Sequence, residues 1–248
     1  MKRKLFCIAN FKMNKNRCET ISYLDKLAVL NKVKPKTNLI ICPSYTSISK
    51  TFHNISLGVQ NINSNSNGAY TGEISAQMVC DLDVDYAILG HSERREYYNE
   101  NDIEVNKKVK LALKYDLNPI LCIGENLNQR KDNNVFKILE KQISTSLYKI
   151  NNKSNIIIAY EPVWAIGTGE TATVDIITET HKMIRNILND IGFDGEKISI
   201  LYGGSVNRNN AKDLIALNDV DGFLIGGASL DVNHFYDIFK FIEESINV

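Results

Sequence analysis

The chain has 248 residues, of which 44% are hydrophobic and 23% are charged, and its 29 basic residues balance its 29 acidic residues. This length allows a large buried core, and the neutral, unclustered charge argues against a nucleic-acid partner. The five cysteines are widely spaced without a Cys-x-x-Cys pair, and no apolar run approaches the roughly 20 residues of a membrane span, so we expect a cytoplasmic protein with no metal site, disulfide framework or membrane segment.

Short apolar runs recur along the whole chain, and longer segments with helical spacing separate most of them. Runs of this length and composition are typical of strands that are buried on both faces. The predicted strands are residues 5–9, 39–42, 57–59, 86–89, 120–123, 156–160, 198–202 and 223–225. Helical spacing is clear over residues 135–147, 177–191 and 235–246.

The alternation of strands and helices predicts βαβ units that form a parallel sheet. About eight such units in this length favour an α/β fold with one closed (β/α)8 barrel as a single domain over residues 1–248. A doubly wound open sheet is the alternative. No linker, charge block or low-complexity segment divides the chain, and the Asn- and Ser-rich residues 61–68 are predicted to form a polar loop.

The predicted ends of five strands carry polar or glycine-rich residues. These segments are residues 10–12, 90–93, 161, 202–205 and 226–229. Each segment alone has a plain structural explanation, such as a surface lysine or an ordinary turn. Because active sites of barrels gather at the C-terminal ends of the strands, their coincidence predicts a site at that face.

Glu161 is the most informative of these residues. It follows the apolar, β-branched run 156–160 directly, and Pro162 prevents the strand from continuing. The next residues hold the only Trp of the chain and two Gly, a composition that suits an ordered loop able to act as a lid. A carboxylate at this place suggests a general base. The alternative is that Glu161 is simply the first solvated residue after a strand.

Segments at these places resemble the triosephosphate isomerase family. They are NFKMN from Asn10, AYTGE from Ala69, GHSERR from Gly90, AYEPVWAIGTG from Ala159, YGGS from Tyr202 and GGAS from Gly226. The resemblance covers essentially the whole chain, and the segment from Ala159 is its most specific part. Two residues depart from the family pattern, because Phe11 stands where Trp is usual and Glu170 where Lys is frequent.

The resemblance implies interconversion of dihydroxyacetone phosphate and glyceraldehyde 3-phosphate without a metal or an organic cofactor. It implies that Glu161 is the base and that His91 is a neutral hydrogen-bond donor at the start of a helix. Lys12 would supply a positive charge for the substrate and the developing oxyanion. Asn10 would bind substrate oxygens or hold Lys12, and Glu93 would anchor Lys12 electrostatically.

Glycine turns predict where the substrate phosphate binds. Backbone N–H groups approach a phosphate closely only where no Cβ intervenes, and barrels often bind phosphate after their last two strands. The resemblance adds a donor from the lid. The predicted phosphate-binding residues are Gly167, Gly204, Ser205, Gly226 and Gly227.

The resemblance also implies a homodimer. Residues 63–73 would be an arm that inserts into a second subunit, and Tyr70, Thr71 and Glu73 would lie in the interface. Arg94 would have an interface or bracing role, whereas Arg95 is interpreted as a charge on the helix surface.

The sequence leaves two other functions open. A barrel aldolase or synthase acting on a phosphorylated compound is one alternative, but an aldolase usually needs a Schiff-base lysine on a central strand, and none of the predicted strands contains one. A non-catalytic barrel scaffold is the other. We would expect such a scaffold to have lost Lys12, His91 or Glu161, and all three are present.

Overall fold

The computed structural model describes residues 3–32, 34–48, 54–151, 155–165 and 172–246. Its centre is a closed barrel in which each strand pairs with the next in parallel, and the last strand pairs with the first. The strands are β1 (Phe6–Asn10), β2 (Asn38–Cys42), β3 (Ser56–Val59), β4 (Tyr86–Leu89), β5 (Asn118–Ile123), β6 (Ile157–Tyr160), β7 (Ser199–Tyr202) and β8 (Gly222–Ile225). The predicted (β/α)8 barrel is therefore confirmed, and the open-sheet alternative is wrong.

Helices surround the barrel. They are α1 (Arg17–Leu30), α2 (Ala76–Cys80), α3 (Ser92–Tyr97), α4 (Asp102–Lys114), α5 (Leu127–Lys131), α6 (Val135–Ser146), α7 (Val174–Asp190), α8 (Ala211–Ile215) and α9 (Val232–Ser245). The three helices with clear spacing in the sequence are present, with ends shifted by up to three residues. Helices of five or six residues, such as α2 and α5, are too short to produce a repeating apolar pattern. Among the described residues, no helix combines the length and apolar character needed to cross a bilayer.

Local sequence explains where the long helices begin. The Asn16 side chain caps α1 by accepting from the Glu19 N–H, and the Glu19 side chain accepts from the Asn16 N–H in turn. Thr173 and Asp231 cap α7 and α9 with their side-chain oxygens. These bonds satisfy N–H groups that a helix leaves free in its first turn.

The core has two layers. Side chains that point into the barrel include Ile8, Ile40, Cys122 and Leu201, and all four are fully buried. A larger cluster lies between the outer face of the strands and the helices. Cys122 thus packs inside the barrel.

The start of the fifth strand differs from the prediction by two residues, more than any other strand end. The sequence predicts that the fifth strand starts at residue 120, where its apolar run begins. The observed strand starts at Asn118, whose N–H donates to the Asp85 carbonyl at 2.8 Å, while Pro119 lies opposite Ala87. Pairing with β6 begins only at Ile120, so the sheet requires no N–H from Pro119.

Candidate active site

The C-terminal ends of the strands surround one cavity of about 230 Å³. Most of the residues predicted for catalysis and phosphate binding line it. They are Asn10, Lys12, His91, Glu161, Gly204, Ser205, Gly226 and Gly227. Gly167 lies outside the described residues, and Glu93 contacts Lys12 from beside the cavity.

Glu161 and His91 are in direct contact. Glu161 follows β6 and is held by its own N–H, which donates to the Ile123 carbonyl of β5 at 2.7 Å. Its buried carboxylate accepts from the Ser92 N–H at 3.0 Å and lies 3.1 Å from Nε2 of His91. The structure therefore brings together two predicted residues that are 70 positions apart in the chain.

The position of the His91 proton follows from its neighbours. His91 caps α3, and its Nδ1 atom accepts from the Glu93 N–H at 3.3 Å, so Nε2 carries the proton that faces Glu161. Burial is the largest single influence and lowers the pKa of His91, but the charge and hydrogen bond of Glu161 together with the charge of Glu93 raise it, and the result lies above the usual value. The sequence predicts a neutral ring from the helix N-terminus alone, and this conformation adds a carboxylate that opposes that effect.

The pKa of Glu161 is set by the same contact. Burial raises the pKa of this carboxyl, whereas the charge and hydrogen bond of His91, the Ser92 N–H and the Lys12 charge lower it. The lowering contributions prevail. Glu161 is therefore held as a carboxylate despite its burial.

Lys12 has an unusual backbone conformation. Its φ of 51° lies in the left-handed region that non-glycine residues rarely adopt. The Asn10 side chain accepts from the Lys12 N–H at 3.0 Å, and the Gln60 side chain donates to the Lys12 carbonyl at 2.8 Å. The Lys12 ammonium then reaches Glu93 at 2.5 Å. Asn10 and Glu93 are thus placed to hold Lys12, and so is Gln60, which no sequence pattern marks.

The two glycine turns differ in how much space they leave. A Cβ at Gly227 would meet no atom within 4 Å, so this turn faces open space. At Gly226, a Cβ would come within 3.1 Å of Cε of Lys12. The Ser205 hydroxyl donates to the Ala165 carbonyl at 2.7 Å, which leaves its backbone N–H as the group for an anion.

Glu125 is a second buried acid at the end of a strand. It follows β5, and its Oε1 atom accepts from Arg130 at 2.7 Å and from the Trp164 indole at 2.9 Å. It therefore holds the segment that follows Glu161. The signal that identified Glu161, an acid directly after an apolar strand, is nearly present here, because only Gly124 separates Glu125 from β5.

The residues predicted for the dimer interface lie on the surface of this protomer. Tyr70, Thr71 and Glu73 are exposed, and the Asn63 side chain donates to Glu73 at 2.6 Å to close the loop on itself. Arg94 is half-buried and binds the buried Glu100 at 2.8 Å. A second cavity, of about 270 Å³, extends from the Lys12 region to Glu73 and Arg94.

Known proteins resemble this chain along nearly its full length. The family model described as triosephosphate isomerase matches residues 5–242. A triosephosphate isomerase of Endomicrobium trichonymphae is 43% identical over 247 residues, which cover 96% of this chain and 99% of that protein. The proteins of the same name from Fusobacterium nucleatum subsp. nucleatum and Mycoplasma mobile are also 43% identical over 96% of this chain, and they are covered to 98% and 100%.

These similarities decide between the alternatives that the sequence left open. They favour the isomerase over a barrel aldolase, a synthase or a non-catalytic scaffold. The matched span includes every strand of the barrel and every described residue of the cavity. The chain therefore belongs to the triosephosphate isomerase family.

Proposed function

We propose that this chain interconverts dihydroxyacetone phosphate and glyceraldehyde 3-phosphate in the cavity, with Glu161 as the base and His91 as the hydrogen-bond donor. One observation carries the assignment of these roles. A carboxylate and an imidazole from separate strands lie 3.1 Å apart at a cavity that also contains Lys12 and two glycine turns. A base, an electrophile and an anion site are the groups that a proton transfer next to a carbonyl requires.

In the proposed reaction, Glu161 takes a proton from C1 of dihydroxyacetone phosphate. The electrons of that C–H bond form a C1–C2 double bond, and the C2 oxygen becomes an oxyanion that accepts from Nε2–H of His91. Return of the proton to C2, with transfer of the hydroxyl proton from O1 to O2, gives the aldehyde. No oxidant, reductant or co-reactant is consumed.

Glu161 has to exchange partners for this chemistry. In the described conformation its carboxylate is occupied by the Ser92 N–H and by His91. Moving it to the substrate removes the largest of the contributions that raise the pKa of His91 and leaves that of the Glu93 charge, so burial together with the bond from the Glu93 N–H then favours the neutral ring. The same movement frees Nε2–H to donate to the substrate oxygen.

Lys12 and the glycine turns would bind the charged parts of the substrate. The Lys12 ammonium, held by Glu93, offers a positive charge at the rim of the cavity. Backbone N–H groups at Gly204, Ser205 and Gly227 are available for the phosphate. We propose Asn10 as a positioning residue for Lys12, because its side chain accepts from the Lys12 N–H.

A coupled assay with glyceraldehyde 3-phosphate tests the proposal. Glu161→Gln should lower kcat by about 10²- to 10⁴-fold, the usual contribution of a general base. Glu140→Gln, which changes an exposed carboxylate on α6, is the matched control and should retain wild-type rates. Wild-type protein without isomerase activity, or a fully active Glu161→Gln variant, would contradict the proposal.

We also propose that the chain forms a homodimer through residues 63–73. The loop is closed by the bond from Asn63 to Glu73, and the Asn63 N–H donates to the Ile74 carbonyl at 2.8 Å. It nevertheless leaves Tyr70 and Thr71 exposed, and Met13 beside Lys12 is 96% exposed. An ordered loop with an exposed aromatic side chain, facing away from its own core, fits insertion into a second copy.

Shortening the loop tests this part of the proposal. Deletion of residues 65–70 should give a folded monomer with much reduced activity, because Lys12 loses support from the partner's loop. Analytical ultracentrifugation and the coupled assay measure both effects on the same sample. A shortened variant that remains dimeric, or a monomer with full activity, would refute the link between assembly and catalysis.

A cytoplasmic location is part of the same proposal. All five cysteines are free, and Cys7, Cys42 and Cys122 are fully buried. Unpaired thiols suit a reducing compartment. Cell fractionation that finds the protein in an oxidising compartment would contradict this assignment.

A further inference from the structure

Arg95 occupies a different environment from the helix surface that its sequence suggests. Its side chain turns inward from α3 and is only 18% exposed. Nε donates to the Gly90 carbonyl at 2.7 Å, and one terminal nitrogen donates to the Cys122 carbonyl at 3.2 Å. The other terminal nitrogen binds Asp102 at 2.5 Å. The interpretation of Arg95 as a surface charge is therefore wrong.

The guanidinium satisfies a carbonyl that the sheet leaves without a strand partner. The pairing of β4 with β5 ends at Leu89 and Leu121, because Gly90 turns the chain away with a φ of 71°. The Ile123 carbonyl points to β6, where it accepts from Glu161, so the preceding Cys122 carbonyl points to the β4 side. At that position Arg95 replaces the missing strand.

Gly90 is required for this arrangement in two ways. Its φ lies in the left-handed region, and a Cβ at this position would lie 2.9 Å from the terminal nitrogen of Arg95. The Gly90 N–H also donates to the buried Glu100 at 3.1 Å. Side chains therefore hold both peptide groups of Gly90, and the second of these peptides leads directly into His91.

The Arg95 guanidinium binds the backbone segments that position both proposed reacting groups, His91 and Glu161. One branch holds the Gly90–His91 peptide at the end of β4. The other holds β5 at Cys122, one residue before the carbonyl that binds the Glu161 N–H. A planar guanidinium fixes the distance between two acceptors, which a flexible ammonium does not.

We propose that Arg95 is a positioning residue for isomerisation, which sets the place of the His91 imidazole relative to Glu161 and the substrate oxygen. This inference rests on the proposed function. The guanidinium donates to carbonyls of the two strand ends and would not touch substrate. Its effect on the rate would arise because a misplacement of about 1 Å in a reacting group can lower the rate by about 10²-fold.

Two substitutions separate this role from a general contribution to folding. Arg95→Met removes the fork, and Arg95→Lys keeps the charge but can reach only one carbonyl at a time. We expect kcat to fall by about 10- to 100-fold in Arg95→Met and by less in Arg95→Lys. KM should change by less than about threefold, because the phosphate-binding turns lie after β7 and β8.

Asp102→Asn is the matched control. It removes the ion pair at the outer branch of the guanidinium and leaves the two carbonyl contacts in place. We expect kcat within about threefold of wild type for this variant. A kcat loss in Asp102→Asn equal to that in Arg95→Met would overturn the inference, because the ion pair and not the carbonyl fork would then matter.

A double-mutant cycle with His91→Gln gives the decisive measurement. If Arg95 acts through His91, Arg95→Met should cause almost no further loss of kcat in the His91→Gln background. Losses that multiply would overturn the inference, and so would an unchanged kcat in Arg95→Met. If Arg95→Met does not fold, Arg95→Lys replaces it in the cycle with the same criteria. An inactive wild-type protein would instead contradict the proposed function, so the two failures are distinguishable.

Discussion

The two ends of the barrel both contain buried ionic groups, but they use them differently. At the N-terminal end, Arg185 binds Asp219 and Asp221 at 2.8 Å each and donates to the carbonyls of Gly195 and Ile198. At the C-terminal end, Glu161 and His91 bind each other at the wall of an open cavity. At one end the charged groups bind only protein groups, whereas at the other they also face a cavity that a substrate can enter.

The two ends differ in whether a substrate can replace one of the partners of a buried carboxylate. Asp221 accepts from Arg185, from Arg3 at 2.6 Å and from the Ile200 N–H at 2.8 Å, and all of these donors come from the protein framework. Glu161 has its cavity on one side, so a substrate can replace His91 as its neighbour. We therefore expect substitutions at the N-terminal end to change stability, and substitutions at the C-terminal end to change activity.

Arg185→Met should have the largest effect on the free energy of unfolding. It leaves the buried Asp221 and the partly exposed Asp219 with fewer partners, and breaking a buried pair such as Arg185–Asp221 typically costs about 3–5 kcal/mol. Denaturant titration measures the loss, and kcat of the folded fraction should remain at the wild-type value. Glu196→Gln, which removes the exposed partner of Arg3, should cost less than about 1 kcal/mol. A large kcat defect in Arg185→Met would remove the distinction between the two ends.

Lys12→Ala should have the complementary effect. It removes a charge that acts on both the bound substrate and the transition state, so KM should rise and kcat should fall by about 10²- to 10³-fold. Steady-state kinetics measure both quantities. The melting temperature should not fall, because the substitution breaks only the partly exposed pair with Glu93. Near wild-type kinetics would show that Lys12 takes no part in the reaction.

Glu161→Asp tests position without removing the carboxylate. Shortening the side chain withdraws the proton acceptor by about 1 Å, and we expect kcat to fall on the order of 10²-fold with little change in KM. Progress curves at saturating substrate suffice for the comparison. An unchanged kcat would exclude Glu161 as the base.

His181 extends the comparison to pH. This fully buried ring donates from Nδ1–H to the Asp219 backbone carbonyl at 2.8 Å, because a carbonyl can only accept. Burial lowers the pKa of His181 from 6.5 to about 4. The unfolded chain therefore binds a proton between those values and the folded chain does not, so the stability present above pH 6.5 is lost as pH falls towards 4.

The expected loss from His181 is about 1.5 kcal/mol between pH 6.5 and 5, because each unit of pH contributes up to about 1.36 kcal/mol and the unfolded ring is only half protonated at pH 6.5. Denaturant midpoints at several pH values measure it. His181→Gln should flatten this part of the pH dependence while kcat at pH 7.5 stays unchanged. An equally steep dependence in His181→Gln would assign the effect to other groups.

The fold was largely predictable because it depends on local patterns. Each buried strand appears in the sequence as a short apolar run, and the ends of the strands were placed within one or two residues. The closed barrel was predicted from the number of strand–helix units, about eight, and not from any single residue. Short helices such as α8 were not predictable, because five residues contain too little of a helical repeat.

The site was predictable in its members but not in its contacts. Polar residues at strand ends identified His91 and Glu161, since parallel strands bring their C-terminal ends to one face. The direction of Arg95 was not predictable, because it depends on where β4 turns away from β5. Pairing of Arg185 with Asp221 joins residues 36 positions apart, and no spacing in the sequence marks it.

The left-handed backbone of Lys12 has a consequence for the evolution of this protein. A non-glycine residue in that region carries a conformational cost of about 1–2 kcal/mol, and glycine or asparagine at position 12 would relieve it. A selection that rewards heat resistance alone would therefore favour loss of this lysine. Selection for the reaction would keep it, so at position 12 the requirements of stability and of activity oppose each other.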